Sequence, residues 1–466
     1  MNNDEIKQHQ ELRQLLSPQQ VLTEASQLAH YGRDWCKHFE PNPLAICFPE
    51  STLDVQKLVL WSRRTKTPLV PSGGRTGLSG GATATAREVV VSLERMNRIL
   101  SFSAVDRLLT CQAGAITEEV QNHCRDHGFY FPVDFAARGS SQIGGNIATN
   151  AGGLKVVRYG MMRDWVTGMT VVTGYGEILT LNKALVKDAT GFDLKQLFIV
   201  TEGTMGIITE ATLTFTSPPP DSVVMIVGLE SSEHVLKLFE HFMRRTVVNA
   251  FEIFTDVALE HVLTQTHFAP PLSERYPFYV LVEAEAANDS ALESLMGAFA
   301  SAQEAGWILD GTLSQSASQA QQLWQYRERI SESLAPRMPH KNDISVPVSR
   351  IPEFLDRINV LVATNYPGLE VVWFGHIGDG NLHFNVLPPQ QMDLREFKSL
   401  TATLDPQLYG VIQALGGSIS AEHGIGLTKR PFLNYSRSSE EMDLLRHLKR
   451  VMDPDGIMNP GKLLDT

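Results

Sequence analysis

Short apolar runs alternate with amphipathic stretches along the first 130 residues. PLAICFPES reads as a strand ending at Pro49. Ser51, with Asp54 three positions on, caps a helix whose Val55, Leu58 and Val59 share one face. TPLVPS, EVVVSLERM and LLTCQAGA read as three further strands, and a helix opens at Thr117 and stops at Gly128. This alternation predicts an α/β layer. MTVVTGYGEILTL then reads as a hairpin turning at 174–176, LFIVTEGTMGIITEATLTF closes the block, and SPPPD at 217–221 is a stiff linker. A second block follows with strands at 222–229, near Phe251, at 277–286 and at 344–348. Its helices lie at 232–244, 288–304 and around 316–335, with one more from Pro352. This roughly repeated strand–helix–strand unit predicts an antiparallel sheet covered by helices. A last helix near 440–451 leads into MDPDGIMNPGKLL. The whole is expected to be an α+β chain with domains at 1–220 and 221–425 and a C-terminal segment at 426–466 that returns to the first.

VVWFGHIGDGNLHFNVL carries the most chemistry. It predicts a hairpin with strands at 371–376 and 381–387, its turn relieved by Gly378 and Gly380. In that register His376 faces Asn381, so His383 lies on the same face one diagonal step away, and Asn385 shares it. Two imidazoles on a diagonal can converge on one ion, and Glu422 of SAEHG supplies a carboxylate from elsewhere. Two His and one carboxylate form a catalytic-zinc type of set. A packed or solvated His pair is the alternative, and the hairpin alone leaves both open. Trp373 and Phe374 read as core. In WQYRERISESL, Arg327 and Ser331 stand four apart on one helical face, with Lys341 following; a solvated amphipathic helix is the competing reading.

Net charge is −12 and no basic run occurs, which argues against a nucleic-acid partner. No apolar run approaches the length of a membrane span. The polar, acid-bearing start MNNDEIKQHQ is neither a secretion signal nor an Arg-rich transit peptide. Cys36, Cys47, Cys111 and Cys124 form no CxxC pair, which fits a reducing, cytoplasmic setting and no iron–sulfur site. Three glycine-rich stretches, 73–81, 139–153 and 203–206, lie in the first domain. Glycine lets backbone N–H groups approach a phosphate closely, and clustered N–H groups form an anion nest. None of the three fits GxGxxG between strand and helix, or GxxxxGK[ST], so a Rossmann NAD site and a P-loop are both unsupported.

PSGGRTGLSGGA, SSQIGGNIATNAGG, TEGTMGIITEATL, GHIGDGNLH, SAEHGIGLTKR and NPGK, in this order and spacing, resemble the vanillyl-alcohol-oxidase-type FAD flavoproteins, and more narrowly their D-2-hydroxyacid dehydrogenase branch. The match runs over residues 20–464. Within the branch it resembles most the D-2-hydroxyglutarate dehydrogenases, with the D-lactate dehydrogenases and the flavin subunit of glycolate oxidase close behind. The resemblance implies a two-part PCMH-type FAD-binding domain and a substrate domain built on an antiparallel sheet. It implies that FAD is held by Ser72, Gly73, Gly74, Arg75, Thr76, Gly77 and Ser79 around the pyrophosphate. Asp134, Ser140, Gly144, Gly145, Asn146, Thr149, Gly152 and Gly153 would run along the cofactor, Glu202, Gly203, Gly206, Ile207 and Ile208 would hold the adenine side, and Asn459 and Lys462 would return near the flavin. Several relatives bond the flavin through a His in the first loop or a Cys in the second. Here Arg75 follows Gly73 and Gly74 and no Cys lies in 131–153, so non-covalent FAD is expected.

By the same resemblance His376, His383 and Glu422 are zinc ligands and His423 is the catalytic base, histidine being the side chain that titrates near neutral pH. Arg327, Ser331, Lys341, Asn385 and His423 would bind a small 2-hydroxy acid; Ser331 stands where Thr is common in the branch and keeps the hydroxyl. With no NAD fingerprint and no second redox centre, the electrons need an outside acceptor, an electron-transfer flavoprotein or another soluble carrier. A homodimer is compatible with the chain. A non-catalytic flavin subunit would lack the metal and base residues, and all four are present.

Overall fold

The computed structural model describes residues 3–182 and 184–464. The chain divides into two compact units. The first comprises Met1–Gly153, Gly160–Pro218 and Glu422–Thr466, and the second Leu154–Tyr159 and Pro219–Ala421. The divisions thus fall after Pro218 and Ala421, where the sequence suggested 220 and 425. The short 154–159 excursion joins the second unit because Lys155 Nζ pairs with Glu283 at 2.9 Å and Arg158 Nε with Glu285 at 3.1 Å.

The first unit holds two sheets. β1 (Val21–Leu22), β2 (Ala45–Cys47), β3 (Leu69–Ser72) and β4 (Val89–Ser92) pair in the order β1-β2-β4-β3, with β2, β4 and β3 parallel. The helix Thr52–Thr65 crosses from β2 to β3, and the Ser51 hydroxyl accepts from the Asp54 N–H at 3.2 Å, the cap expected from sequence. β5 (Ile99–Ser103), β6 (Leu108–Gln112), β7 (Val166–Thr173), β8 (Ile178–Leu181) and β9 (Gly206–Thr214) form an antiparallel sheet in the order β5-β6-β9-β7-β8. Val55, Leu58, Val89, Val91, Leu109, Val171 and Ile207 belong to one buried cluster. Each such side chain is worth about 1.5–3 kcal/mol of burial. The C-terminal segment lies along β3, with Asn459 N–H donating to Leu69 O at 2.8 Å.

The second unit is one antiparallel sheet of seven strands. These are β10 (Ser222–Leu229), β11 (Val248–Thr255), β12 (Phe278–Glu285), β13 (Asp310–Leu313), β14 (His340–Ser345), β15 (Glu370–His376) and β16 (Asn381–Leu387), ordered β13-β10-β12-β11-β15-β16-β14. One face carries an apolar cluster of Val224, Phe254, Tyr279, Leu281, Val372 and Phe374 under the helices Asp256–Thr266 and Ile330–Leu334. The other face packs Trp373 on Phe354 of the helix Ile351–Asn365, ring centroids 5.7 Å apart. The expected hairpin is present in its register, with His376 opposite Asn381 and Gly380 at φ +84 closing the turn. The helix expected around 316–335 is broken: Ala317–Glu328 ends at Arg329 and Ile330–Leu334 follows. The strand expected at 344–348 starts earlier, at His340. The helices Asp256–Thr266 and Leu394–Ala414 had no counterpart in the sequence reading.

Candidate active site

The glycine stretches of the first unit line one cavity. Of the FAD residues expected from sequence, Ser72 to Gly77, Ser79, Gly144 to Asn146, Thr149, Glu202, Gly203 and Gly206 to Ile208 border it, and His423 borders it too. Asp134, Ser140, Gly152, Gly153 and Asn459 do not. Asp34, Gly81, Leu93, Gln142 and Thr201 do, although the sequence did not single them out. Two glycines show how the walls are made. A Cβ at Gly74 would lie 1.9 Å from Ser140 O, so the first loop can press against the second only without a side chain, whereas a Cβ at Gly145 would meet nothing within 4 Å. Ser72 Oγ and Gln142 Oε1 are buried at this cavity without a hydrogen-bond partner. Buried polar atoms left unpaired cost free energy, so they fit a wall that a polar cofactor completes.

Glu202 organises the loop that bears His423. Its carboxylate accepts from Ile425 N–H at 2.7 Å and Gly426 N–H at 2.9 Å. Burial pushes its pKa up against these two donors. Ser79 Oγ donates to His423 O at 2.8 Å, and Asn459 Nδ2 donates to Gly81 O and Glu202 O. Asn459 therefore ties cavity loops together from behind. Lys462 is fully buried, 3.6 Å from Glu88, and is not a wall residue. Glu422 and His423 sit on a bend, not a strand, with Gly424 at φ +79 after them; Glu422 Oε1 lies 3.9 Å from His423 Nε2.

In the second unit a polar island interrupts the apolar sheet face. Strand pairing sets His383 against both Asp343 and Phe374, and Asn385 against both Lys341 and Val372. The His376 and His383 ring centroids are 5.3 Å apart. Glu252, from β11, reaches His376 Nδ1 at 2.8 Å. A carboxylate only accepts, so in the neutral ring Nδ1 carries the hydrogen and Nε2 presents its lone pair. Asp343 stands 3.8 Å from His383 Nδ1 and accepts from Asn381 Nδ2 at 2.7 Å and from the Ala421 N–H at 3.2 Å. This donor set, an imidazole pair with one ring pinned by a carboxylate, fits a borderline divalent cation.

Arg327 is 5% exposed, stacks over the Phe374 ring with Cζ 4.9 Å from its centroid, and pairs with Glu252 at 2.9 Å. That contact is an ion pair without hydrogen-bond alignment, and Arg327 Nε is buried with no partner, as is Asn385 Oδ1. Lys341 stays open to solvent, yet the protein around it lowers its ammonium pKa by desolvation. Ser331 lies past the break at Arg329 and is exposed, so it does not share the buried setting of Arg327. Glu252 is the residue that the sequence reading missed. A lone acid inside the apolar strand NAFEIFT was its signal, since a carboxylate is almost never fully buried unpaired.

The comparisons with known proteins bear on both units. The family described as FAD linked oxidases, C-terminal domain, matches residues 218–463, and the family described as FAD binding domain matches residues 43–182. The D-2-hydroxyglutarate dehydrogenase of Stutzerimonas stutzeri (strain A1501) is 50% identical over 453 residues, covering 97% of this chain and 98% of that one. The mitochondrial D-2-hydroxyglutarate dehydrogenase of Bos taurus is 36% identical over 454 residues, covering 96% of this chain and 82% of its own. Among solved structures, p-cresol methylhydroxylase with substrate bound aligns with TM-score 0.77 at 15% identity, covering 100% of this chain and 98% of that one. The 4-ethylphenol oxidase from Gulosibacter chungangensis, in complex with isoeugenol, aligns with TM-score 0.75 at 17% identity over the same shares. These likenesses bear out the expected α+β fold, a PCMH-type FAD-binding domain with an antiparallel-sheet domain covered by helices. The chain therefore belongs to the FAD-linked oxidases, in their D-2-hydroxyglutarate dehydrogenase family, and is a FAD-dependent oxidoreductase.

Proposed function

We propose that the protein oxidises D-2-hydroxyglutarate to 2-oxoglutarate with FAD and a zinc ion, and passes the electrons to a soluble acceptor such as an electron-transfer flavoprotein. The observation that carries this reading is the polar island of the second unit: an imidazole pair beside a buried guanidinium whose Nε has no partner. The full-length 50% identity to two bacterial D-2-hydroxyglutarate dehydrogenases supports the substrate. Bound FAD supplies a two-electron hydride acceptor at N5, and a bound divalent cation lowers the pKa of a hydroxyl.

The chain's own residues do the rest. His376 and His383 would hold the cation through ring nitrogens, with Glu422, which follows directly on the Asp343-anchored Ala421, as the third ligand. Arg327 meets one substrate carboxylate in the bidentate manner of guanidinium, and Lys341 offers a point charge to the other. Asn385 and Ser331 contribute polar contacts to the acid and its hydroxyl. His423, on the loop clamped by Glu202, takes the hydroxyl proton as C2 gives up its hydride, leaving the 2-oxo acid. No helix among the described residues is long and apolar enough to cross a membrane. Free, buried cysteines support a reducing, cytoplasmic setting.

Purified protein given D-2-hydroxyglutarate, D-lactate and glycolate in turn, with dye reduction followed and metal measured, tests the reading. D-2-hydroxyglutarate should reduce the dye fastest. D-lactate is the second reading, favoured by a 36% identical putative D-lactate dehydrogenase of Schizosaccharomyces pombe, and a faster rate with it overturns the first. His423→Ala should abolish turnover with FAD retained; turnover at the wild-type rate removes His423 as the base.

A further inference from the structure

We propose that Glu252 is a positioning residue that orients the metal-binding His376 and the substrate-binding Arg327 with one carboxylate. The proposal rests on the function proposed above and assigns a role to a residue outside its ligand set. Glu252 is 1% exposed in β11. One oxygen, Oε1, lies 2.8 Å from His376 Nδ1, and the other, Oε2, lies 2.9 Å from Arg327 Nη2. The first contact fixes the ring tautomer and its rotation, so Nε2 faces away from the carboxylate. The second holds the guanidinium over the Phe374 ring, Cζ 4.9 Å from its centroid, with Nε left without a partner. An ionised carboxylate can accept from the imidazole N–H through one oxygen and attract the guanidinium charge through the other. An amide cannot, because its nitrogen would turn a donor toward one of the two donors.

Glu252 lies 124 residues from His376 in sequence, on a strand that pairs directly with β15 at Ile253–Gly375 and Phe254–Phe374. Both are interior strands of the sheet, paired with each other at these positions, so the spacing between carboxylate and imidazole is set by the sheet. Rings that ligate metals are commonly oriented by such a carboxylate, and its loss typically weakens metal binding 10–100-fold. The separate feature here is that the same carboxylate also holds the cation offered to the substrate. Metal affinity and substrate KM should therefore move together when it is changed.

The test uses the full-length, FAD-loaded protein. Zinc affinity is measured by competition with a chelator, without substrate, and kcat and KM for D-2-hydroxyglutarate are measured in zinc-saturated protein. Glu252→Gln is expected to lower zinc affinity about 10–100-fold and to raise KM more than it lowers kcat, with FAD content unchanged. Wild-type zinc affinity together with wild-type KM in Glu252→Gln overturns the proposal and leaves Glu252 a sheet-interior ion pair. If Glu252→Gln does not fold, the histidine nitrogen signals of zinc-free wild-type protein decide: His376 as the Nδ1–H tautomer supports the proposal, and Nε2–H overturns it. His376→Ala separates this from the underlying reading. Zinc affinity unchanged in that variant refutes the metal site itself, whatever Glu252 does.

Discussion

Adjacent glycines in the helix Ile143–Thr149 should respond in opposite ways to the same methyl group. A Cβ at Gly144 would lie 2.7 Å from Ala113 Cβ and 3.1 Å from Ala113 O, while one at Gly145 would meet no atom within 4 Å. Gly144 N–H already donates to Ala113 O at 2.7 Å, so that side of the helix cannot retreat without losing the bond. Gly144→Ala should therefore overpack the core and cost about 1–3 kcal/mol. Gly145→Ala has no clash and replaces the poorer helix former, so the apo-protein should gain about 0.5–1 kcal/mol. Its methyl, however, enters the cavity lined by Ser72, Gly73 and Gln142. If FAD sits there, the backbone can no longer approach it closely. Losing one charge-assisted hydrogen bond of about 1.5–3 kcal/mol weakens FAD binding by roughly 10- to 150-fold. Gly145→Val, no worse than glycine in a helix, should bind more weakly still. Thermal unfolding of apo-protein gives the first quantity, and titration with FAD followed by flavin fluorescence gives the second. Gly145→Val that binds FAD as tightly as wild type would show that this cavity is not the flavin's seat.

Other expected outcomes follow from the same geometry. Glu202→Gln loses one of two carboxylate contacts to the Ile425 and Gly426 N–H groups and turns a donor toward the other. It should lower apo-protein stability by about 1–3 kcal/mol and cut kcat through the His423 loop; wild-type melting would show the clamp to be idle. Desolvation lowers the Lys341 ammonium pKa from its usual 10.5, so its charge is lost on the alkaline side at a pH where a free lysine keeps it. KM for a dicarboxylate should rise there, and Lys341→Arg should move that rise to higher pH; identical profiles remove Lys341 from the substrate site. The four described cysteines are free and buried, and burial pushes Cys111 and Cys124 up to about 12. Native protein should resist alkylation, and acid denaturation should release all the yellow colour; flavin left in the pellet contradicts non-covalent FAD.

The sequence disclosed most where one periodicity spoke alone. The β15–β16 hairpin could be read residue by residue because apolar and polar positions alternate and glycines bracket Asp379. β14 was displaced because Ile344 is its one apolar residue: Lys341, Asp343 and Ser345 lie on one face and His340 and Asn342 precede Ile344 on the other, so the period-two signal is too weak to read. The helix Leu394–Ala414 was silent because Pro406 lies inside it, and proline reads as a breaker. The break at Arg329 carries no glycine or proline to announce it. The glycine-rich stretches were visible, but not which glycines face the cavity. Gly145 does and Gly152 does not, a difference made by contacts between loops far apart in sequence.

Buried charge in the second unit says more about use than about stability. Taking Glu252 and Arg327 out of water costs several kcal/mol per ion, and an apolar pair of similar volume would often be as stable or more so. The pair here is not even aligned as a hydrogen bond, and Arg327 Nε and Asn385 Oδ1 are buried unpaired on the same sheet. Beside them on that sheet face lies a close-packed apolar cluster, with Phe254 stacked on Tyr279 at 5.4 Å. A core selected for stability alone would extend that packing through positions 252, 376, 383 and 385. Concentrating costly polar groups in one place, with Arg327 Nε and Asn385 Oδ1 left without a protein hydrogen bond, is what a surface shaped for an ionised ligand requires.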